Sequence, residues 1–168
     1  MRLSNLVPLF LLASCTSGPS KEESVQIWGA ASAAMTTAQQ RAVESARASN
    51  VLPVTDLHLN WSGSCTLGGT VSVSGNYTGD GSDDHASFDL QTTFSNCREA
   101  QGTVDGSLTW KSVASDTSFT ASMDGNIDWH GQNGDASCAF DLAITLSSTS
   151  VSYGGSLCGY DVGDEINL

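Results

Sequence analysis

The chain has 168 residues, a formal net charge of −12 and a mean hydropathy of −0.09. This length suits one domain, and the acidic balance excludes nucleic-acid binding, which needs clustered lysine and arginine. With 39% hydrophobic and only 14% charged residues, the composition is not typical of a disordered chain.

The first 15 residues have the organisation of an export signal. A positively charged start at Arg2 precedes an apolar stretch at 3–12, which is too short to span a membrane but has the length of a signal-peptide core. The stretch ends in LASC, residues 12–15, which resembles the lipobox of bacterial lipoproteins. The resemblance implies that residues 1–14 are removed and that Cys15 is lipidated. The alternative is an ordinary secretory signal that is cleaved slightly later.

The resemblance also implies a location. Two or three acyl chains on Cys15 would hold the protein firmly to a bilayer. Thr16, rather than aspartate, follows the cysteine, and this is similar to the sorting pattern of outer-membrane lipoproteins. We therefore expect a cell-envelope protein that is anchored by lipid to the outer membrane and faces the periplasm or the cell surface. The predicted boundaries are a lipidated cysteine and tether at 15–24 and a single helix-plus-sheet domain at 25–168.

The first predicted element of the domain is a helix over residues 21–49. Ser20 is a plausible N-cap, and Glu23, three residues later, completes a capping box. Asn50 and Pro53 end the helix. The spacing of apolar residues predicts a buried face made mainly of small side chains: Val25, Trp28, Ala31, Met35, Ala38, Ala42 and Ala46.

After Pro53 the hydrophobic period changes to two. Alternation of apolar and polar residues predicts strands at 54–62, 68–78, 86–96, 102–111, 117–130, 137–147 and near 150–160. One apolar, buried face (the dry face) and one polar, solvent-exposed face (the wet face) are typical of an antiparallel sheet. The predicted fold class is α+β, with the N-terminal helix packed on a curved antiparallel meander of about six to seven strands and with two disulfides.

Three glycines fall on the predicted dry face, at Gly75, Gly106 and Gly125. A two-residue turn at each Asp-Gly is the rival interpretation, but it would break the alternation of faces, so we predict continuous strands. Inward glycines mark bends or close backbone approach. We expect the curved sheet to wrap around the Ala-rich helix at these glycines, and the helix to fill the concave side.

Four cysteines remain after Cys15, and hairpin symmetry chooses their pairing. Cys65 and Cys97 are symmetric about residue 81, and Cys138 and Cys158 about residue 148, both within predicted turns. We therefore predict disulfides Cys65–Cys97 and Cys138–Cys158 at the same end of the meander, in an oxidising compartment. Four free thiols are the alternative. A zinc site is disfavoured because the chain has no C-x-x-C pair.

Candidate chemistry is sparse. The histidines His58, His85 and His130 are expected on the wet face or in turns, and no G-x-S-x-G motif accompanies them. The residues most suited to bind a cation are Asp80, Asp83 and Asp84, which could take Ca²⁺, although the full calcium loop is missing. A solvated hairpin turn is the simpler interpretation, and we predict no catalytic residue and no cofactor.

The sequence therefore favours a non-enzymatic outer-membrane lipoprotein with a binding or structural role in the envelope. Its expected partners are the membrane, through lipidated Cys15, and an envelope protein. The alternatives are a lipid carrier, which would need a pocket between helix and sheet, and an envelope hydrolase. From residue 80 onward, 14 acidic residues accompany only Arg98 and Lys111, so the sheet surface should be repelled by anionic lipid headgroups.

Overall fold

The computed structural model describes residues 18–48, 56–79 and 85–167. Helix α1, Lys21–Ala48, is followed by nine strands that form one antiparallel sheet. The strands are β1 Asp56–Ser64, β2 Thr70–Gly79, β3 Ala86–Glu99, β4 Gly102–Ser115, β5 Ser118–Gly131, β6 Gly134–Ser147, β7 Ser150–Leu157, β8 Tyr160–Asp161 and β9 Asp164–Asn167.

The sheet is the predicted meander, with more strands than expected. Strands β1 to β8 are neighbours in chain order, and β9 pairs with β7 beside β8. The seven long strands match the predicted ones, so the α+β class is confirmed, but a count of six to seven is wrong. Cys158 and Gly159 both have positive φ, 53° and 85°, and reverse the chain after Leu157. This tight turn adds the short strands, which are too short to show a hydrophobic period.

The predicted capping box forms at the start of α1. The Glu23 amide donates to Ser20 Oγ at 3.2 Å, and the Ser20 amide donates to Glu23 Oε2 at 2.8 Å. Hydrogen bonds from the backbone amide and the side chain of Ser20 to the Glu23 carboxylate lower the pKa of Glu23 from its ordinary value. The helix begins at Lys21, four residues before the predicted start of the domain at residue 25.

The helix buries a face that differs in part from the predicted one. Val25 was expected inside but is 62% exposed, so this prediction is wrong, while Ile27 is fully buried. Trp28 is half-buried, with its ring centroid 5.9 Å from that of Phe140. Four residues are buried as predicted: Ala31, Met35, Ala38 and Ala42. Three further residues of the helix are buried as well: Ser24, Ala30 and Ala34. Small side chains let α1 approach the sheet closely, and it packs against β1 to β4.

The core lies between α1 and the dry face of the sheet. Alternation along the strands is confirmed, because inward side chains are buried while their neighbours are exposed. The largest fully buried side chains include Val71, Val73, Phe94, Val104, Leu108 and Ile127.

No helix in the described part of the chain combines the length and apolar character needed to span a membrane.

One irregularity shifts the faces of β3. The pairing of β3 with β4 slips between Phe94 and Cys97, and Asn96 has a positive φ of 47°. The extra residue of this β-bulge turns Cys97 inward, where it is fully buried. The Asn96 amide, freed from the ladder, donates to Asp105 Oδ1 at 2.7 Å. Strict alternation from Phe94 would have left Cys97 on the wet face.

The inward glycines lie within continuous strands, as predicted, and the atoms nearest to them belong to neighbouring strands. Gly75, Gly106 and Gly125 have φ values of 147°, 118° and 149°. A β-carbon at Gly106 would collide with the carbonyl oxygen of Asn126, and one at Gly125 with that of Ser107. The nearest atoms therefore belong to neighbouring strands and not to α1. The glycines permit strand bends, and the close approach of α1 at these positions stays a prediction.

Both predicted disulfides are present. The Cα atoms are 5.4 Å apart in Cys65–Cys97 and 4.2 Å apart in Cys138–Cys158. Cys97 and Cys138 belong to strands, whereas Cys65 and Cys158 lie in the turns that follow β1 and β7. Each bridge therefore ties a turn to a strand at one end of the sheet.

Candidate functional site

Several predicted site residues lie outside the described residues. They are Cys15, the predicted lipidation site, and the candidate calcium ligands Asp80, Asp83 and Asp84. Lipidation and calcium binding at these positions stay predictions.

A buried carboxylate lies beside the first disulfide. Glu99 is 9% exposed, and its Oε1 accepts a hydrogen bond from the Thr66 amide at 3.2 Å and lies 4.0 Å from Cys97 Sγ. Cys65, Cys97 and Glu99 bring three potential metal ligands together. Both sulfurs are joined in the disulfide, however, so neither is the thiolate that a metal requires. In this state Glu99 holds the turn after β1.

The three histidines are exposed, and each lies beside a polar partner. His58 Nδ1 lies 3.0 Å from Asn76 Oδ1, and His85 Nε2 lies 3.5 Å from Asp116 Oδ1. His130 Nδ1 lies 2.9 Å from Asp135 Oδ1, and this hydrogen bond raises the pKa of His130. The partner of His130 is a carboxylate and not a hydroxyl nucleophile.

The wet face carries aspartates directly opposite one another. Asp105 pairs with Asp128 across β4 and β5, and Asp124 pairs with Asp141 across β5 and β6. Like charges in such positions repel, so these pairs are not there for stability. They give this face a negative potential, in line with the acidity of the second half of the chain.

The dry face offers a different surface, an apolar groove between α1 and strands β4 to β6. We call it the helix–sheet groove, and it encloses about 250 Å³. None of the described residues that line it carries a charge. The helix therefore covers the concave side only in part: α1 packs mainly on β1 to β4, Trp28 reaches Phe140 of β6, and the groove remains beside them. The groove is lined by Trp28, Ser32, Met35, Trp110, Met123 and Ile144, among others.

Two residues that line this groove each carry a buried polar atom without a hydrogen-bond partner among the described residues. Ser32 Oγ and Trp110 Nε1 are both buried, and neither makes a hydrogen bond within the described part of the chain. A buried donor without a partner destabilises a fold by about 1–3 kcal/mol. Such atoms are rare in native proteins, where an ordered water often supplies the missing partner.

The groove continues into an exposed apolar strip on β6 and β7. Ile144 is 36% exposed, and the next inward residue of β6, Leu146, is 40% exposed. Tyr153, which pairs with Ile144, is 45% exposed. A continuous strip of this kind, beside a groove, is typical of a binding surface.

Compared with protein-family models, with curated proteins and with solved structures, the chain shows no match. The fold and the groove define an α+β protein in which one helix partly covers an antiparallel meander. The alternation predicted for the strand at 137–147 puts Leu142, Ile144 and Leu146 on one face, but it gives no sign that the helix leaves them partly uncovered. The unpartnered atoms of Ser32 and Trp110 become visible only when tertiary contacts are known.

Proposed function

We propose that this protein is a non-enzymatic binding protein of the bacterial cell envelope, attached to the outer membrane through lipidated Cys15. The attachment rests on the LASC sequence at residues 12–15. The acidic wet face supports a single point of attachment, because anionic headgroups would repel it. The lipid would keep the folded domain near the membrane.

The helix–sheet groove is the observation that carries the binding role. A monomeric domain with a complete core would cover Ile144, Leu146 and Tyr153, yet all three are at least 36% exposed. Burial of such side chains by a bound partner is favourable at about 25 cal/mol per Å² of apolar surface. An envelope protein that presents an apolar side chain to the groove is the partner that this surface fits.

Lipid carriage is the second candidate function, and the uncharged lining of the groove favours it. The volume of the groove, about 250 Å³, lies just below the range of about 300–1,000 Å³ that is usual for sites of drug-sized ligands. A site of this size would accept one acyl chain rather than a whole phospholipid.

Metabolic labelling with a radioactive fatty acid in a Gram-negative host tests the attachment. We expect the full chain to incorporate the label and to fractionate with the outer membrane, and we expect Cys15→Ser to lose both. Thr16→Asp is the matched control, because it leaves the acceptor cysteine intact: the label should stay, while the protein moves to the inner membrane. Label that persists in Cys15→Ser would overturn the proposed anchor.

A further inference from the structure

We infer that the end of the sheet that carries the two disulfides rests on the surface of the bilayer, with the side chain of Leu67 inserted among the lipid headgroups. We call this end of the sheet the disulfide end. It consists of the turns at 65–69, 100–101, 132–133 and 158–159. The inference rests on the proposed lipid anchor at Cys15 and adds the orientation of the domain and the residue that contacts the lipid.

The chain enters the described fold at the disulfide end. Pro19 is buried, and its carbonyl oxygen accepts a hydrogen bond from the Tyr160 hydroxyl at 3.1 Å. A β-carbon at Gly18 would lie 3.9 Å from the carbonyl oxygen of Cys158, in the turn after β7. Because an extended chain spans at most about 3.6 Å per residue, the distance from Cys15 to Gly18 is no more than about 11 Å. A lipid on Cys15 therefore lies close to the disulfide end.

The turn after β1 holds an exposed leucine in a fixed position. Leu67 is 60% exposed. Its amide donates to the Arg98 carbonyl oxygen at 3.0 Å, and the Arg98 amide donates to the Gly68 carbonyl oxygen at 2.8 Å. The disulfide Cys65–Cys97 ties the same turn to β3. Since the backbone on both sides of Leu67 is already ordered, insertion of its side chain into a lipid surface requires little further ordering.

The two ends of the sheet differ in charge. None of the residues in the four turns of the disulfide end is charged. Exposed carboxylates at this end, such as Asp135 and Asp161, lie in strands, two residues from the turns. At the opposite end Asp116 lies in the turn between β4 and β5, and the connection from β2 to β3 contains three further aspartates, at 80, 83 and 84. Anionic headgroups would repel that end more strongly than the disulfide end.

The orienting contact needs little free energy, because the lipid on Cys15 already holds the domain at the surface. Burial of one leucine side chain would favour the orientation with the disulfide end on the bilayer by roughly tenfold or more. The attraction of apolar surface to the interface and the repulsion of the acidic end act in the same direction.

Fluorescence quenching on the lipidated full chain tests the orientation. A bimane dye is attached under non-reducing conditions to Gln132→Cys or to Thr149→Cys, in the exposed turns before and after β6. These positions form a matched pair, because the 14 residues of β6 separate them by about 45 Å. The vesicles contain phosphatidylethanolamine, phosphatidylglycerol and a phospholipid with a nitroxide on its headgroup. We expect strong quenching at position 132 and none at position 149.

A substitution at Leu67 tests the contact itself. Leu67→Asp should lower the population of the docked orientation about tenfold or more, so that quenching at position 132 falls towards the level at position 149. Because Leu67 is exposed, the thermal unfolding and the fatty-acid labelling of Cys15 should equal those of the parent. Val113→Asp is the matched control, since Val113 is 55% exposed and lies in β4 near the opposite end. It should leave the quenching at position 132 unchanged.

Three results would overturn the inference: equal quenching at both dye positions, stronger quenching at position 149, or quenching at position 132 that Leu67→Asp and Val113→Asp affect equally. If any of these occurs while fatty-acid labelling at Cys15 succeeds, the orientation is wrong and the lipid anchor stands. If the labelling itself fails, the anchor is wrong, and the orientation that rests on it is wrong as well.

Discussion

The glycine at position 106 provides the sharpest test of how the sheet bends. Gly106 has a φ of 118°, and a β-carbon there would collide with the carbonyl oxygen of Asn126 in β5. A left-handed φ disfavours alanine by about 1–3 kcal/mol. Steric overpacking against a backbone atom, which cannot rotate away, adds about 1–3 kcal/mol. We therefore expect Gly106→Ala to lower the free energy of unfolding by about 4 kcal/mol, a large part of the usual total of about 5–15 kcal/mol.

Two further glycines separate these contributions. Gly134 has a φ of 125° but open space at the β-carbon position, so Gly134→Ala should lose about 1–2 kcal/mol from backbone strain alone. Gly154 has open space and no positive φ, so Gly154→Ala should stay within about 0.5 kcal/mol of the parent. Urea denaturation of the oxidised proteins measures all three. Equal stability of the variants at 106 and 154 would refute the reasoning.

Three smaller perturbations test local features. Ser20→Ala removes the N-cap of α1 and should lower the free energy of unfolding by about 1 kcal/mol in urea denaturation. Gly29→Ala, at an exposed helical site with open space around it, should raise the free energy of unfolding by up to about 1 kcal/mol, and a loss would contradict the helical geometry there. Asp135→Asn should lower the pKa of His130 in an NMR titration. Because that pKa is raised in the folded state, the pair stabilises the fold below the unfolded histidine pKa, and this contribution is lost as pH rises through the folded pKa.

Features set by neighbouring residues were predictable from the sequence. The capping box of Ser20 and Glu23 needs only a spacing of three residues, and it forms as expected. The alternation along β2 to β6 likewise reports which side chains face inward, because the side-chain period of a strand is fixed. The disulfide pairs followed from symmetry about the turns, which depends on chain distance and not on detailed packing.

Features set by the fit of separate elements were not predictable. Val25 and Ile27 are both apolar, and in an Ala-rich helix the composition does not decide which of them faces the sheet. The shape of the sheet decides this, through the close approach of small residues along α1. The bulge at Asn96 changes the alternation by one residue without any Gly or Pro to mark it. The helix–sheet groove depends on how far α1 extends across β5 and β6, which no local pattern encodes.

The paired aspartates on the wet face lead to a prediction that needs the strand register. Asp124 and Asp141 are directly opposite each other and exposed. The Cβ atoms of such a pair are about 5 Å apart, so the two carboxylate charges repel. Asp124→Asn should raise the free energy of unfolding by about 0.2–1 kcal/mol at low salt. At about 1 M salt, where the screening length falls to about 3 Å, most of this gain should disappear.

A double-mutant cycle separates this repulsion from other effects of the amide. Asp124→Asn and Asp141→Asn should each stabilise the fold at low salt. The double variant should gain less than the sum of the two, because the first substitution already removes the repulsion. Additive gains would mean that each aspartate is unfavourable through the overall negative charge of the wet face and not through its cross-strand partner. Repulsion that is specific to the pair would show that the chain keeps opposed carboxylates at a cost in stability, which is expected of a surface selected to stay in solvent and away from anionic headgroups.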